Sequence, residues 1–245
     1  MNDSLVKERL SQHDKKLAFK IYLYLGALFI TSLVVSNLIF QKFFYWKPFG
    51  DISIFGASLF EVSVGILPYP ITFLITDLIS EIFGKKKANQ IVTAGILASF
   101  FSMGIILLAN FVPALSHSPV NNEEFSKVFA LSPIAVLASM IAYLLAQYID
   151  IAIYHFWKKF THGKHLWLRN NFSTFTSQFI DTFIVVGLLC VFKVLPWDLF
   201  YGLVVSGFLF KVFIAFLDTP LLYLFVYILR KRFNLKVGEE IQLDV

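Results

Sequence analysis

The chain has 245 residues, of which 58% are hydrophobic, 18% aromatic and only 15% charged. A water-soluble domain carries about a quarter of its residues as charges, so this composition excludes an ordinary soluble globule and points to lipid as the solvent. The net charge of +5 does not indicate nucleic acid, because the basic residues stand at the ends of apolar runs, where they orient a membrane protein. The single cysteine, Cys190, lies inside an apolar segment and excludes an intrachain disulfide framework.

A membrane-spanning helix needs about 20 mostly apolar residues, and six stretches meet that requirement. The polar start of the chain (1–18) reads as a cytoplasmic segment. The apolar stretch after it lacks a small-residue cleavage site and reads as a retained first span rather than a signal peptide. In chain order the expected spans are 19–41, 54–83, 88–112, 130–157, 172–194 and 200–229. Pro68 and Pro70 flank Tyr69 inside the second and predict that it breaks there into two shorter pieces. Residues 19–230 then form one transmembrane domain, and 231–245 a cytoplasmic tail.

The loops test this count. With both ends on one side, 15 of the 21 Lys and Arg fall there, on the N-terminal segment, Lys85–Lys87, the stretch from Lys158 to Arg169, and the tail from Arg230 to Lys236. The other side receives Lys42, Lys47, Lys127 and Lys193. This asymmetry orients both termini toward the cytoplasm and supports an even number of spans.

Charged side chains within a span cost at least about 2.5 kcal/mol on insertion scales, so they face the bundle interior and mark solute or ion paths. The candidates are Glu61, Asp77, Glu81, Asp150, Asp181, Lys211 and Asp218. For Glu81, four residues before Lys85, the simpler reading is an interfacial ion pair on one helix face. Asp77 stays open between the two readings. Asp150, Asp181 and Asp218 lie about 8, 9 and 11 residues in from the cytoplasmic ends of their spans, or roughly 12–17 Å deep. One buried Asp can be a structural link between helices, whereas three at similar depth point to a site. Tyr143, Gln147, Asp150 and Tyr154 recur at helical spacing and form one stripe, and Thr174, Ser177, Gln178, Asp181 and Thr182 form a polar face. Lys211 has two equal readings, a buried salt bridge to Asp181 or Asp218 or a donor to a bound solute. Ser36 reads as helix packing. His155 reads as interfacial, and His162 and His165 as solvated loop residues. The acidic interior favours a cationic, donor-rich or protonic ligand, and a carboxylate can take two parallel N–H bonds, such as the N1–H and exocyclic amine of a guanine-like ring. No phosphate-binding loop, metal-ligand spacing or nucleophile–base pair is present, so the chain does not read as an enzyme and no cofactor is expected.

Ser36-Asn37, the stretch PYPITFLITDLISEIFGKKKA (68–88), YLLAQYIDIAIYHFWKK (143–159), SQFIDTF (177–183) and FKVFIAFLDTPLLY (210–223) together resemble the queuosine-precursor transporter family, also called the vitamin uptake transporter family. The resemblance covers nearly the whole membrane region. It implies an all-α, six-helix bundle similar to the substrate-binding subunits of energy-coupling-factor transporters, in the inner membrane of a bacterium. The implied activity is secondary import of 7-deazaguanines (preQ0, preQ1, in some cases queuine). The alternative is a substrate-binding subunit energised by a separate ATPase. The implied site residues are Asn37, Asp77, Gln147, Asp150, Gln178, Asp181 and Lys211. Tyr143 joins them from the stripe, and Glu61 and Asp218 stand as further acids outside the family's firmest motifs. The expected partners are the solute and the bilayer, without nucleic acid, and a homodimer fits the reading.

Overall fold

A computed structural model describes residues 10–40, 42–45, 50, 52–54, 57–58, 61–130, 133–193 and 195–243. Its framework is helical: α1 (Gln12–Ile39), α2 (Tyr69–Ile82), α3 (Gly84–Phe111), α4 (Pro133–Phe160), α5 (Leu166–Val191) and α6 (Phe200–Phe233). Among the described residues, α1, α3, α5, α2 with the 3₁₀ turn at Val64–Ile66, and α6 with the one at Trp197–Leu199 are long and apolar enough to cross a membrane. α4 is 28 residues long, its first turns carrying side chains outside the described set. Large apolar residues face outward along these helices, as on α3, where Phe101 is 70% and Phe111 82% exposed. A soluble protein buries such a stripe, whereas lipid solvates it.

The region expected to open the second span differs from the sequence reading. Between α1 and α2 the chain forms two small antiparallel ladders. In one, β1 (Phe43–Tyr45) pairs with β4 (Glu61–Ser63); in the other, β2 (Ser53–Ile54) pairs with β3 (Ala57–Ser58). Glu61 therefore belongs to a strand opposite Tyr45, not to a membrane helix, and its side chain lies outside the described residues. The β-branched and small residues of 53–63, with no helical period, suit a ladder. Pro68 and Pro70 do not break a helix. Pro68 caps α2 and Pro70 sits in its first turn, where the missing N–H would have no partner anyway. Ser63 anchors this entry, accepting from the Gly65 N–H at 3.1 Å and donating to the Phe40 carbonyl, while Ser36 donates to the Gly65 carbonyl. Ser36 is thus a packing residue, as the sequence indicated.

α2 is short but central, packing against α1, α3, α4 and α6. From Thr72 to Ile82 nearly every residue is buried, including Thr72, Thr76, Asp77, Ser80 and Glu81. A helix enclosed on all sides can carry polar side chains only where neighbouring helices meet them. α1 and α3 pack closely through glycine: a Cβ on Gly95 would come within 2.6 Å of the Phe29 ring. Small residues let membrane helices approach in this way. α2 ends at Phe83, and Gly84 turns the chain into α3 at φ +83°, the left-handed position that glycine takes beyond a helix C-terminus.

The chain's two ends meet at one end of the bundle. Arg232 of α6 pairs with Asp14 of α1 at 2.9 Å. The stretch after α6 folds back so that the Ile241 N–H donates to the Ile82 carbonyl at 2.7 Å, with Ile241 fully buried. Most helices extend further toward this end than hydropathy indicated, because polar and basic residues continue the helix beyond the apolar run. Asp150 consequently lies about 10 residues from Phe160, and Asp181 and Asp218 about 15 from Leu166 and Phe233. The three acids are not at one level, and Asp181 stands roughly a turn beyond Asp150.

Candidate functional site

Midway along the bundle, α2, α5 and α6 surround a narrow cleft. Aromatic residues Tyr69, Phe73 and Phe210 line it, together with Asp77, Gln178, Lys211 and Asp218. Lys211 and Asp218 are two turns apart on α6, Asp77 comes from α2 and Gln178 from α5. Polar groups from three helices therefore converge on one largely apolar cavity, the usual composition of a small-molecule site.

Behind this lining, Asp181 ties three helices together. Its Oδ2 accepts from the Tyr69 hydroxyl at 2.6 Å and from Lys211 Nζ. The ammonium also lies over the Tyr69 ring, 4.8 Å from its centroid, in cation–π contact. Asp181 and Lys211 are 5% and 13% exposed. Both readings of Lys211 thus find support, since it is paired with Asp181 and also faces the cleft.

Asp150 and Gln147, both fully buried, stand one layer deeper. Ser177 donates to Asp150 Oδ1 at 2.9 Å, and Gln147 Nε2 donates to the Tyr143 hydroxyl at 2.7 Å. The Tyr143 ring packs edge-on against Tyr69 at 5.6 Å and against Phe73 at 6.2 Å. These rings separate the cleft from a smaller void lined by Asn37, Ser99, Met140 and Tyr143. Asn37 and Tyr143 therefore line the smaller void and are not brought into the cleft itself.

Several buried oxygens in this layer find no donor: Asp77 Oδ1, Asp150 Oδ2, Gln147 Oε1, Gln178 Oε1 and Thr174 Oγ1. Each such atom costs about 1–3 kcal/mol, so a cluster of them marks a place where something other than stability has shaped the sequence.

A family model described as "Putative vitamin uptake transporter" matches residues 63–225. The chain belongs to the vitamin uptake transporter family. It is therefore a transporter and not an enzyme. The "Probable queuosine precursor transporter" of Bacillus subtilis (strain 168) is 27% identical over 177 residues, covering 70% of this chain and 73% of that protein. No solved structure matches. The family match begins at Ser63, so it takes in all of α2 through most of α6, and with them every cleft residue named above. Asn37 and Glu61 fall outside it.

A second polar centre in this vitamin uptake transporter departs from the sequence reading. Glu81 does not pair with Lys85 at a surface. It is fully buried, and Arg169 Nη2 bonds its Oε1 at 2.6 Å. Arg230 bonds the same oxygen, and the Tyr154 hydroxyl bonds Oε2 at 2.8 Å. Lys158 Nζ stands 3.7 Å from Oε2 and reaches Glu240 of the tail at 2.7 Å. Arg169, read from the sequence as a loop charge, is wholly buried, and its Nη1 also donates to the carbonyls of Gly163 and Lys164. The missed signal was spacing. Glu81 lies one helical turn from Asp77 on the most enclosed helix, and Tyr154 ends the α4 stripe at the same level, so the stripe pointed to a partner for its last member.

Proposed function

We propose that this transporter is a six-pass, secondary importer of 7-deazaguanine queuosine precursors in the bacterial inner membrane, with both termini cytoplasmic. The observation that carries the reading is the set of unmatched polar groups at the cleft. Asp77 and Gln178 each present a buried oxygen without a donor; the Asp181-paired ammonium of Lys211 faces the same cleft, and aromatic rings stand beside them. A 7-deazaguanine offers the complement: parallel N–H donors on its pyrimidine edge, a carbonyl acceptor next to them, and a flat face. Asp77 would take the donor fork and Gln178 Oε1 a further N–H. Lys211 would reach the carbonyl, and Tyr69, Phe73 or Phe210 would stack on the ring. For preQ1, Asp218 lies on the same wall to meet the aminomethyl cation. The name of the B. subtilis relative supports this choice of solute, and the asymmetric distribution of Lys and Arg supports the orientation.

At the end where the termini meet, the Glu81 network closes the bundle between Asp77 and the aqueous side, as a gate must while the cleft is open elsewhere. Rocking of helices around a mid-membrane site is the general mode of secondary transporters. The test is uptake of labelled preQ0, preQ1 and queuine by cells that lack their own route. Cells making this protein should accumulate at least one of them, and the Asp77→Asn variant, produced at equal level, should accumulate little. No uptake of any of the three by the unaltered protein would overturn the reading.

A further inference from the structure

Asp181 is buried and does not line the cleft, whereas the two groups bound to it do. Its Oδ2 takes the Tyr69 hydroxyl, at 2.6 Å, and the Lys211 ammonium. The ammonium rests over the Tyr69 ring, 4.8 Å from the centroid, so the phenol and the cation also fix each other. Tyr69 opens α2, Asp181 stands on α5 and Lys211 on α6. One carboxylate therefore sets the position of side chains on two walls of the cleft.

Without that carboxylate the ammonium has other places to go. Asp77 and Asp218 line the same cleft, and Asp77 Oδ1 has no donor. Asp218 lies two turns beyond Lys211 on α6, roughly 10 Å along the axis, while a helical side chain leans toward its own N-terminus and so away from Asp218. Asp77 is then the competing acceptor. An ammonium on Asp77 would occupy the oxygen that the N–H fork of the solute needs. Opposite charges attract more strongly where water is excluded, so in a largely apolar cleft the lysine stays clear of Asp77 only if a direct bond holds it elsewhere. Asp181 supplies that bond.

We propose that Asp181 is a positioning residue for solute recognition: it holds Lys211 and Tyr69 where the carbonyl and ring of the solute meet them, and keeps the ammonium off Asp77, without itself touching the solute. The inference rests on the importer reading and refines how that site works. An ammonium has three N–H donors. One goes to Asp181, and another reaches the carbonyl with the first bond intact. The pair as a whole is neutral, so it offers a donor without net charge, which suits an uncharged acceptor such as the ring carbonyl of a 7-deazaguanine.

The experiment compares Asp181→Asn, Lys211→Met and the double variant Asp181→Asn/Lys211→Met as purified full chains. Thermal unfolding is read in detergent. The half-saturating concentration and maximal rate of uptake are read in liposomes, with whichever labelled precursor cells import best. Asp181→Asn keeps an oxygen for Tyr69 but leaves the ammonium without its counter-ion, and Lys211→Met leaves the carboxylate without its own. Each single variant should unfold at lower temperature and raise the half-saturating concentration roughly tenfold or more, as loss of one charge-assisted hydrogen bond requires, with little change in maximal rate. The double variant buries neither charge alone, so its unfolding temperature should return toward that of the unaltered protein. Its half-saturating concentration should be no higher than that of Lys211→Met, because Asp181 acts through Lys211. If a single variant does not fold, the double variant still decides: restored unfolding with weakened half-saturation supports the role. Losses that multiply in the double variant would show that Asp181 touches the solute itself. Recovery of both unfolding and uptake would show a purely structural pair. Either result, or an Asp181→Asn protein of unaltered affinity, overturns the positioning role and leaves the importer reading intact. No saturable uptake of any precursor by the unaltered protein would remove the importer reading itself, and the positioning role with it.

Discussion

Two buried polar centres sit about a turn apart on α2, and they are built on opposite principles. Around Glu81 both carboxylate oxygens are matched, by Arg169 and Arg230 on one and Tyr154 on the other, with Lys158 beside it and Glu240 beyond, while Ser80 Oγ and Arg230 Nε nearby find no partner. Around Asp77 the partners are missing, and oxygens of Asp77, Asp150, Gln147 and Gln178 lie buried without donors. Burial is similar in the two places, so burial does not decide role. A satisfied network holds helices in one arrangement, while an unsatisfied one has free energy in reserve for whatever supplies the missing hydrogens. The contrast separates the part of the bundle that resists change from the part that is completed by its cargo.

The largest expected effect breaks the first centre. Glu81→Ala leaves the buried guanidinium of Arg169 and the partly buried one of Arg230 without their counter-ion, and removing one partner of a buried pair costs about 3–5 kcal/mol. The variant should unfold at markedly lower temperature in detergent or fail to yield monodisperse protein. Unchanged thermal unfolding would show that the network is not what closes this end.

A smaller effect is expected where the same end turns from α2 to α3. Gly84 holds φ +83° and faces the carboxylate of Glu240, leaving no room for a Cβ. Gly84→Ala should cost about 1–2 kcal/mol from the backbone alone, with added displacement of the tail. Proteolysis of the tail read alongside thermal unfolding checks both consequences, and unaltered protection of residues 236–243 would argue that the tail is not seated through this contact.

Much of this was legible in the sequence because hydropathy and helical spacing are local signals. The spans beginning near 19, 88, 172 and 200, the stripe from Tyr143 to Tyr154 and the polar face from Thr174 to Thr182 depend only on residues near one another in the chain, and the structure gives four such spans and buries most members of both polar sets. Asp181 was legible for the same reason, and its pairing with Lys211 was one of two partners considered. The segment 54–63 was misjudged because its apolar content resembles a span, while its short ladders with 43–45 and within 53–58 are set by pairing between strands. Arg169 and Arg230 looked like orienting charges, since nothing near them in sequence indicates that Glu81, 88 and 149 residues away, lies between them.

The smallest change in stability should come from the second centre, and with it the sharpest form of the comparison. Gln178 is 3% exposed, its Oε1 has no donor, and it lines the cleft. Replacing a buried group whose hydrogen-bonding capacity is unmet with an apolar one of similar size is nearly neutral or stabilising, by up to about 1 kcal/mol. Gln178→Met should therefore unfold at the same temperature as the unaltered protein or slightly above it, while its uptake of labelled precursor falls severalfold through weaker solute binding. A residue that matters to the fold would show the reverse, losing stability in step with transport. Measuring both on one preparation decides between them, because a parallel loss would place Gln178 with Glu81 among the structural residues and would remove the distinction between a centre that is complete and one that awaits its solute.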